Sequence, residues 1–222
     1  MPRRQSPRSD PDPRWTSELP PAPGDLRIVQ AFVNTADLAR GTDLDGPAEL
    51  ARFLAHWSLA SADAELDDAD LARAVDLREA LRSLIRANRG KRAVSDAVVA
   101  RLDQAASAAT VRVRFETGGR TRFEAAADHL DGALARLCAI VAAAQIDDSW
   151  RSMKICSGTV CRAAFFDFSR NHSAKYCQVQ CGNRISALSY KRRHLEHRRK
   201  MDAVYSHGRR YVRGTRKSPF FQ

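Results

Sequence analysis

The 222-residue sequence predicts a mainly α protein, with a helical N-terminal domain that contains a small β-hairpin and a small cysteine-rich module behind it. Three observations predict this arrangement. Apolar residues recur at helical spacing over most of residues 25–144, strict alternation replaces that spacing near residues 110–124, and four of the five cysteines fall within residues 156–181. About 120 residues can form one compact core, so we expect the helical domain to fold around its own interior.

Five helices are predicted in the N-terminal domain. The apolar positions of residues 25–35 fit helical spacing, and Pro47 suits the first position of a second helix. The strongest pattern runs from Asp68 to about Arg89, with acids early and arginines late, as the helix dipole favours. Ser95 is expected to cap a fourth helix, and residues 128–144 predict a fifth.

Two segments of this half depart from the helical pattern. Alternating residues over 110–115 and 121–124, joined by a turn at Gly118-Gly119, predict a β-hairpin. Residues 1–24 are rich in Pro, Arg, Ser and Asp, a composition that cannot form a core, and are predicted to be a disordered tail.

The cysteines form two close pairs with fifteen residues between them: Cys156-x4-Cys161 and Cys177-x3-Cys181. Two tight turns that each supply two thiolates can face each other around a tetrahedral metal ion. Four thiolates close the coordination sphere, so the spacing favours one structural Zn²⁺ ion without an open position for substrate. An iron–sulfur cluster has the same ligand type but less often this spacing, and a pair of disulfides is the remaining alternative.

The start of the sequence bears on the disulfide alternative. It reads MPRRQSPRSDPDPRW, with no apolar signal segment, and no apolar stretch of the sequence reaches the length of a membrane span. We therefore expect a cytoplasmic protein with reduced thiols, in which paired cysteines are more often metal ligands than bridges.

The residues around the cysteines predict how the module is built. SMKI before Cys156 predicts a short strand that runs into a turn, and Phe165, Phe166 and Phe168 are expected to cover the metal site. Apolar residues after Cys177 recur at helical spacing, so this cysteine and Cys181 are expected to project together from the first turn of a helix. These parts predict a treble-clef-like four-cysteine zinc module.

The motifs of residues 151–184 resemble the CGNR zinc finger. The shared features are the tetrad Cys181-Gly182-Asn183-Arg184, the cysteine gaps, the basic lead-in RSMK, the pattern Phe165-x-Asp167-x-Ser169-x-Asn171 and the pair Lys175-Tyr176. Tyr176 and Gln178 depart from the family, which more often has tryptophan and a nearby methionine there. The order of elements before the finger, together with Phe32-Val33-Asn34-Thr35, resembles the ABATE domain, which commonly precedes a CGNR finger.

The resemblance implies a bacterial, DNA-binding transcription regulator of a stress response, whose N-terminal domain senses a small molecule or mediates dimerisation. Asn34 and Thr35 are candidates for lining an effector pocket, or else they cap and close the first element. The predicted boundaries are a disordered tail over 1–24, an ABATE-like domain over 25–148, a finger with its basic helix over 149–200 and a basic tail over 201–222.

Charge points to a polyanion independently of the resemblance. Residues 151–222 hold 17 Lys or Arg against 3 Asp or Glu, a net charge of +14, whereas the first 150 residues hold 20 against 23. A solvated basic face is one interpretation of such a run, but the excess is too one-sided for internal pairing. Sparse aromatic residues argue against single-strand stacking, so DNA is favoured over RNA. The candidate contacts are Arg184, Lys191, Arg192, Arg193, Arg198 and Arg199.

Two further interpretations remain open from the sequence. Asn183 and Arg184 suit base reading, but beside Cys181 they could instead hydrogen-bond the zinc knuckle. The zinc module could also dock RNA or an acidic protein without reading DNA. An enzyme is not expected, because His194-Leu195-Glu196-His197 lacks the HExxH spacing and no phosphate loop or nucleophile motif occurs.

Overall fold

The computed structural model describes residues 19–36, 43–61, 63–90, 93–126 and 129–212, with side chains described as far as Ala203. Its helices are α1 (Leu26–Val33), α2 (Pro47–His56), α3 (Asp68–Ala87), α4 (Asp96–Ser107), α5 (Leu130–Ile146) and α6 (Val179–Val212), with a 3-10 turn at Ser149–Ser152. Strands β1 (Val111–Phe115) and β2 (Thr121–Ala125) form one antiparallel sheet, and β3 (Met153–Ile155) and β4 (Ala164–Phe166) form another. The predicted fold class is confirmed. Within the described ranges, no helix combines the length and apolarity needed to cross a membrane.

The core of the helical body is built mainly from α1, α2, α3 and α5, and α4 adds the buried Ala105. Phe32 of α1, Leu81 of α3 and Leu137 of α5 are fully buried there, as their helical spacing requires. A capping box opens α3, because the Asp67 carboxylate accepts from the backbone N–H of Asp70 and the Asp70 carboxylate accepts in return. α3 is therefore capped at its start and runs for 20 residues.

The segment just before α1 differs from the sequence prediction. Residues 19–24 were expected to end the disordered tail, yet Leu19 and Ala22 are buried. Buried Gln30 of α1 accepts from the backbone N–H of Ala22 at 2.6 Å and donates to the carbonyl of Pro20 at 3.3 Å. A single polar side chain therefore satisfies the backbone of an otherwise irregular segment. Residues 1–18 of the predicted tail lie outside the described residues.

The short β3–β4 sheet shares the interior of the helical body. Trp150, Met153, Ile155 and Ala164 belong to the same buried cluster as the helices. The compact units differ accordingly from the predicted boundary at residue 149, since one unit extends to Gln178 and the other begins at Val179. A hairpin of two three-residue strands has too few apolar side chains for a core of its own. Its apolar residues therefore complete the core of the helical body.

The remaining elements follow the sequence closely. Strands β1 and β2 pair as predicted, with Val113 opposite Phe123. The second compact unit contains α6, which continues without interruption to Val212. The first half of the predicted tail, residues 201–212, is therefore helical, and residues 213–222 lie outside the described residues.

Candidate metal centre

Four sulfur atoms converge at one point of the structure. The Sγ atoms of Cys156, Cys161, Cys177 and Cys181 all lie within 4.8 Å of one another. Zn–S bonds of about 2.3 Å in a tetrahedron separate the sulfurs by about 3.8 Å, and the Cys161 and Cys177 sulfurs are 3.5 Å apart. The described cysteines form no disulfide. The donor set therefore fits one structural Zn²⁺ ion.

The first ligand pair lies on a turn that leaves β3. Buried Cys156 follows directly after Ile155, and its backbone N–H donates to the carbonyl of Ala163 at 2.8 Å. The N–H of Gly158 points at the Cys156 sulfur at 3.4 Å, a contact that stabilises thiolate charge. After Cys161 the backbone turns sharply, because Arg162 has a left-handed φ of +48°. The strand and this turn together fix both sulfurs of the pair.

The second ligand pair is built differently from the prediction. Only Cys181 belongs to α6, in its first turn, whereas Cys177 precedes the helix by two residues. The backbone N–H of Ser157 donates to the carbonyl of Lys175 at 2.9 Å, which ties the two ligand turns together ahead of Cys177. The third sulfur is therefore positioned by a turn that borders the first pair, and not by helical spacing.

Buried Asp167 shapes the loop between the pairs. Its two carboxylate oxygens accept from the backbone N–H groups of Ser169 and Ala174, each at 2.9 Å. Burial acts to raise the pKa of Asp167, but these hydrogen bonds outweigh it and hold the pKa below its usual value. An ionised carboxylate thus folds the loop over residues 167–174.

The phenylalanines of this loop do not all cover the metal site as expected. Phe165 is buried and Phe166 packs partly against the core of the helical body. Phe168 is 62% exposed and contacts Phe166, with ring centroids 4.8 Å apart. The expectation for Phe168 was wrong, because its ring rests on Phe166 and stays mostly exposed.

The thiols cannot all ionise without a cation. Hydrogen bonds from Cys161 and Cys177 lower the pKa of Cys156. The hydrogen bond with Cys156 raises the pKa of Cys161, and bonds with both partners raise that of Cys177. Since close thiolates repel one another, the cluster favours a divalent cation that neutralises them.

Residues of the helical body that sequence reasoning missed hydrogen-bond the segments next to the zinc ligands. Asn88, just beyond α3, donates to the carbonyls of Trp150 at 2.7 Å and Met153 at 3.1 Å. Buried Arg82 donates to the carbonyl of Arg162 at 2.7 Å, and Arg89 reaches both ligand turns. The available signal is the spacing of Arg78, Arg82, Arg86 and Arg89, which recur every three or four residues along α3 and just beyond it. The helix dipole accounts for basic residues late in the helix but not for this spacing.

The two candidate pocket residues have protein partners. The Asn34 amide exchanges two hydrogen bonds with the backbone of Ala164, at 2.7 and 2.9 Å. The Thr35 hydroxyl donates to the carbonyl of Phe32 at 2.8 Å and accepts from Arg78 at 3.3 Å. A shallow depression elsewhere on the body, between α3, α4 and α5, is lined by Arg73, Asp76, Leu77, Arg101, Gln104, Ala105 and Leu134.

The candidate nucleic-acid contacts are solvent-exposed on α6. They are Arg184, Lys191, Arg192, Arg193, Arg198 and Arg199, and none of them forms an ion pair with a residue that the structure describes. Asn183 is exposed as well, in the turn that carries Cys181. The positive charge of these six side chains is therefore left to solvent or to a partner.

A helical body combined with a closed four-sulfur site defines a zinc-finger protein with a structural metal. Residues 26–148 match the ABATE family, described as "Putative stress-induced transcription regulator", and residues 152–194 match the CGNR zinc finger. The first match covers more than half of the chain, so the protein belongs to the ABATE family, and the predicted order of the two domains is confirmed. No curated protein matches the chain.

Proposed function

We propose that this protein is a zinc-dependent transcription regulator that binds DNA through α6. The observation that carries the proposal is the charge of that helix, which holds nine Lys or Arg and two Asp or Glu over its 34 residues. At 1.5 Å per residue the helix is about 50 Å long, enough to follow a groove past several phosphates.

The spacing of the basic residues supports a groove-binding role. Arg184, Lys191 and Arg198 recur every seven residues, which places them along one side of the helix. Leu188 and Leu195 fall on the same side and are about half exposed. The basic residues suit phosphates at the edges of a groove, and the apolar side chains between them suit base methyl groups within it.

The family membership supports regulation, and the remaining roles follow from the proposal. A bacterial stress-response regulator of this kind works in the cytoplasm, associated with the nucleoid, and its helical body senses an effector or forms a homodimer. If Asn34 and Thr35 line the effector pocket, a ligand there must compete with the contacts to Ala164 and Arg78.

The decisive experiment is selection of bound sequences from random DNA with zinc-loaded protein, with zinc content measured on the same sample. Enrichment of a motif supports sequence-specific regulation by DNA binding. The matched variants are Arg192→Ala/Arg198→Ala on α6 and Arg120→Ala on the exposed turn of the β1–β2 hairpin. Only the α6 variant is expected to lose binding. Preferential binding of RNA, or of an acidic protein after nuclease treatment, would assign the helix to the rival interaction role.

A further inference from the structure

Arg89, two residues beyond the end of α3, contacts both turns that carry the zinc ligands. Arg89 donates through Nη2 to the carbonyls of Ile155 at 2.8 Å and Lys175 at 3.0 Å, and through Nη1 to the Ser157 hydroxyl at 2.8 Å. Ile155 and Ser157 flank the first ligand, Cys156, and Lys175 precedes the third by two residues. All of these atoms belong to the first compact unit. One guanidinium thus spans two turns that are distant in sequence.

We infer that Arg89 is a positioning residue of the zinc centre, so that the ABATE helical body supplies part of the metal site. The residue lies within the ABATE match and outside the zinc-finger match of residues 152–194. The inference concerns metal binding alone and does not depend on the proposed DNA binding.

The geometry of the guanidinium is what makes this role specific. Its planar fork holds the two N–H groups of Nη2 in fixed directions, so that both carbonyls are satisfied at once. A lysine ammonium has the same charge but no such fixed pair. Because the two carbonyls come from different ligand turns, satisfying both holds those turns at one separation before the metal arrives. Less conformational freedom is then lost when zinc binds.

The positive charge of Arg89 also favours zinc binding. A Zn²⁺ ion with four thiolates carries a net charge of about −2, and a cation beside the ligand turns stabilises it. Outer partners of metal ligands commonly change metal affinity by roughly 10- to 100-fold. We expect a rise of that size in the zinc dissociation constant of Arg89→Ala, and a smaller rise for Arg89→Lys, which keeps the charge and loses the fork.

The test is a competition titration of the full-length, reduced protein with Zn²⁺ and a chromophoric chelator. Arg120→Ala is the matched control, because Arg120 is exposed on the turn of the β1–β2 hairpin and has no ion pair in the described part of the chain. The expected order of zinc dissociation constants is wild type equal to Arg120→Ala, then Arg89→Lys, then Arg89→Ala. A second measurement, the urea stability of each protein in excess chelator, separates a metal role from a general loss of stability.

Two results overturn the inference. If Arg89→Ala binds zinc like the wild type while its chelator-treated form is less stable, Arg89 merely supports the fold. If Arg89→Lys binds zinc like the wild type, the two-carbonyl geometry is not what matters. Should Arg89→Ala fail to fold, Arg89→Lys becomes the deciding variant, because it keeps the charge and loses the pair of donors that holds both carbonyls, and an unchanged zinc dissociation constant in it overturns the inference.

Discussion

The side-chain amide of Asn34 pairs with the backbone of Ala164 in both directions, donating to its carbonyl at 2.9 Å and accepting from its N–H at 2.7 Å. The two residues are 130 positions apart. Asn34 follows the last residue of α1, and Ala164 opens β4. The amide thus takes the place of a neighbouring strand and joins the helical body to the zinc-bearing hairpin.

The first prediction tests that junction. Asn34→Asp replaces the donating NH₂ group by a carboxylate oxygen that faces the Ala164 carbonyl, and Asn34→Ala leaves both backbone groups without a partner. We expect each variant to lose about 1–3 kcal/mol of unfolding free energy in urea, with Asp the worse of the two. Asn171→Ala, on an exposed loop of the finger, is the control and should stay within about 0.5 kcal/mol of the wild type.

The second prediction concerns Arg82, which is 3% exposed. Its guanidinium donates to the carbonyls of Val33, Ala36 and Arg162 and pairs with Glu79 at 3.3 Å. Burial lowers the pKa of Arg82, while Glu79 raises it. Removing the donor leaves three carbonyls without this partner, while Glu79 keeps its contact with Arg78 at 3.1 Å.

Arg82→Leu is therefore expected to lower the free energy of unfolding by about 3–5 kcal/mol, because each buried polar group that loses its partner costs about 1–3 kcal/mol. Thermal denaturation with saturating zinc measures the effect. Arg86→Leu, on the exposed side of the next turn, provides the comparison and should be close to neutral. Equal melting temperatures for the two variants would show that the carbonyls of Val33 and Arg162 find other donors.

Periodicity predicted the regular elements well, and the reason is local. The pattern from Asp68 to about Arg89 became α3, and alternation over 110–115 and 121–124 became the β1–β2 hairpin. Cysteine spacing predicted the four-sulfur cluster equally directly. Each of these signals lies within a few residues of the structure that it determines.

The contacts between distant segments could not be predicted in the same way. Nothing near Arg89 in the sequence identifies Ile155 and Lys175 as its acceptors, because backbone carbonyls carry no sequence signature. The core that the β3–β4 hairpin shares with the helical body could not be predicted for a related reason. Met153 and Ile155 lie on a three-residue strand, too short a pattern to show whether their apolar side chains face a separate module or the helical body.

The third prediction is a pH dependence at Asp167. Asp167→Asn exchanges an acceptor for a donor, so one of the N–H groups of Ser169 and Ala174 loses its partner. We expect a loss of about 1–3 kcal/mol near neutral pH. Because hydrogen bonds depress the folded-state pKa of Asp167, its contribution is present above the unfolded value of about 3.9 and disappears as pH falls through the lower, folded value.

Urea titrations of wild type and Asp167→Asn at several pH values measure this difference. All samples contain excess chelator, so that acid-induced zinc loss does not enter. The two curves of stability against pH should converge at the acid end. A gap that stays constant down to the lowest pH would mean that the carboxylate charge is not the source of the stability.

The fourth prediction separates the metal from the helical body. Zinc binding to four-ligand sites contributes roughly 10–16 kcal/mol at neutral pH, so one ligand accounts for about a quarter of that, or about 2.5–4 kcal/mol. Cys181→Ser should therefore weaken zinc binding by about 100-fold or more and abolish DNA binding. The helical signal of the body should survive, since β3 and β4 pack into its core.

Zinc content after dialysis against a chelator and circular dichroism of the same sample test both parts. Cys138→Ser is the matched control, because Cys138 lies on α5 and is not one of the four clustered cysteines. It should retain one equivalent of zinc. If Cys181→Ser loses the helical signal and Cys138→Ser keeps it, the helical body depends on the metal for its fold.

The fifth prediction rests on the exposed basic side chains of α6 that form no ion pair with a described residue. If the helix contacts about five phosphates, the logarithm of the DNA association constant should fall with the logarithm of salt concentration at a slope of roughly −4 to −5. Arg192→Ala removes one contact, so the slope should become shallower by about 1 and affinity should fall equally for all sequences. Arg120→Ala on the β1–β2 hairpin should change neither quantity. Loss of preference at a single base in Arg192→Ala would instead show that Arg192 contacts that base. A slope near zero would mean that the exposed arginines bind a partner other than a polyanion.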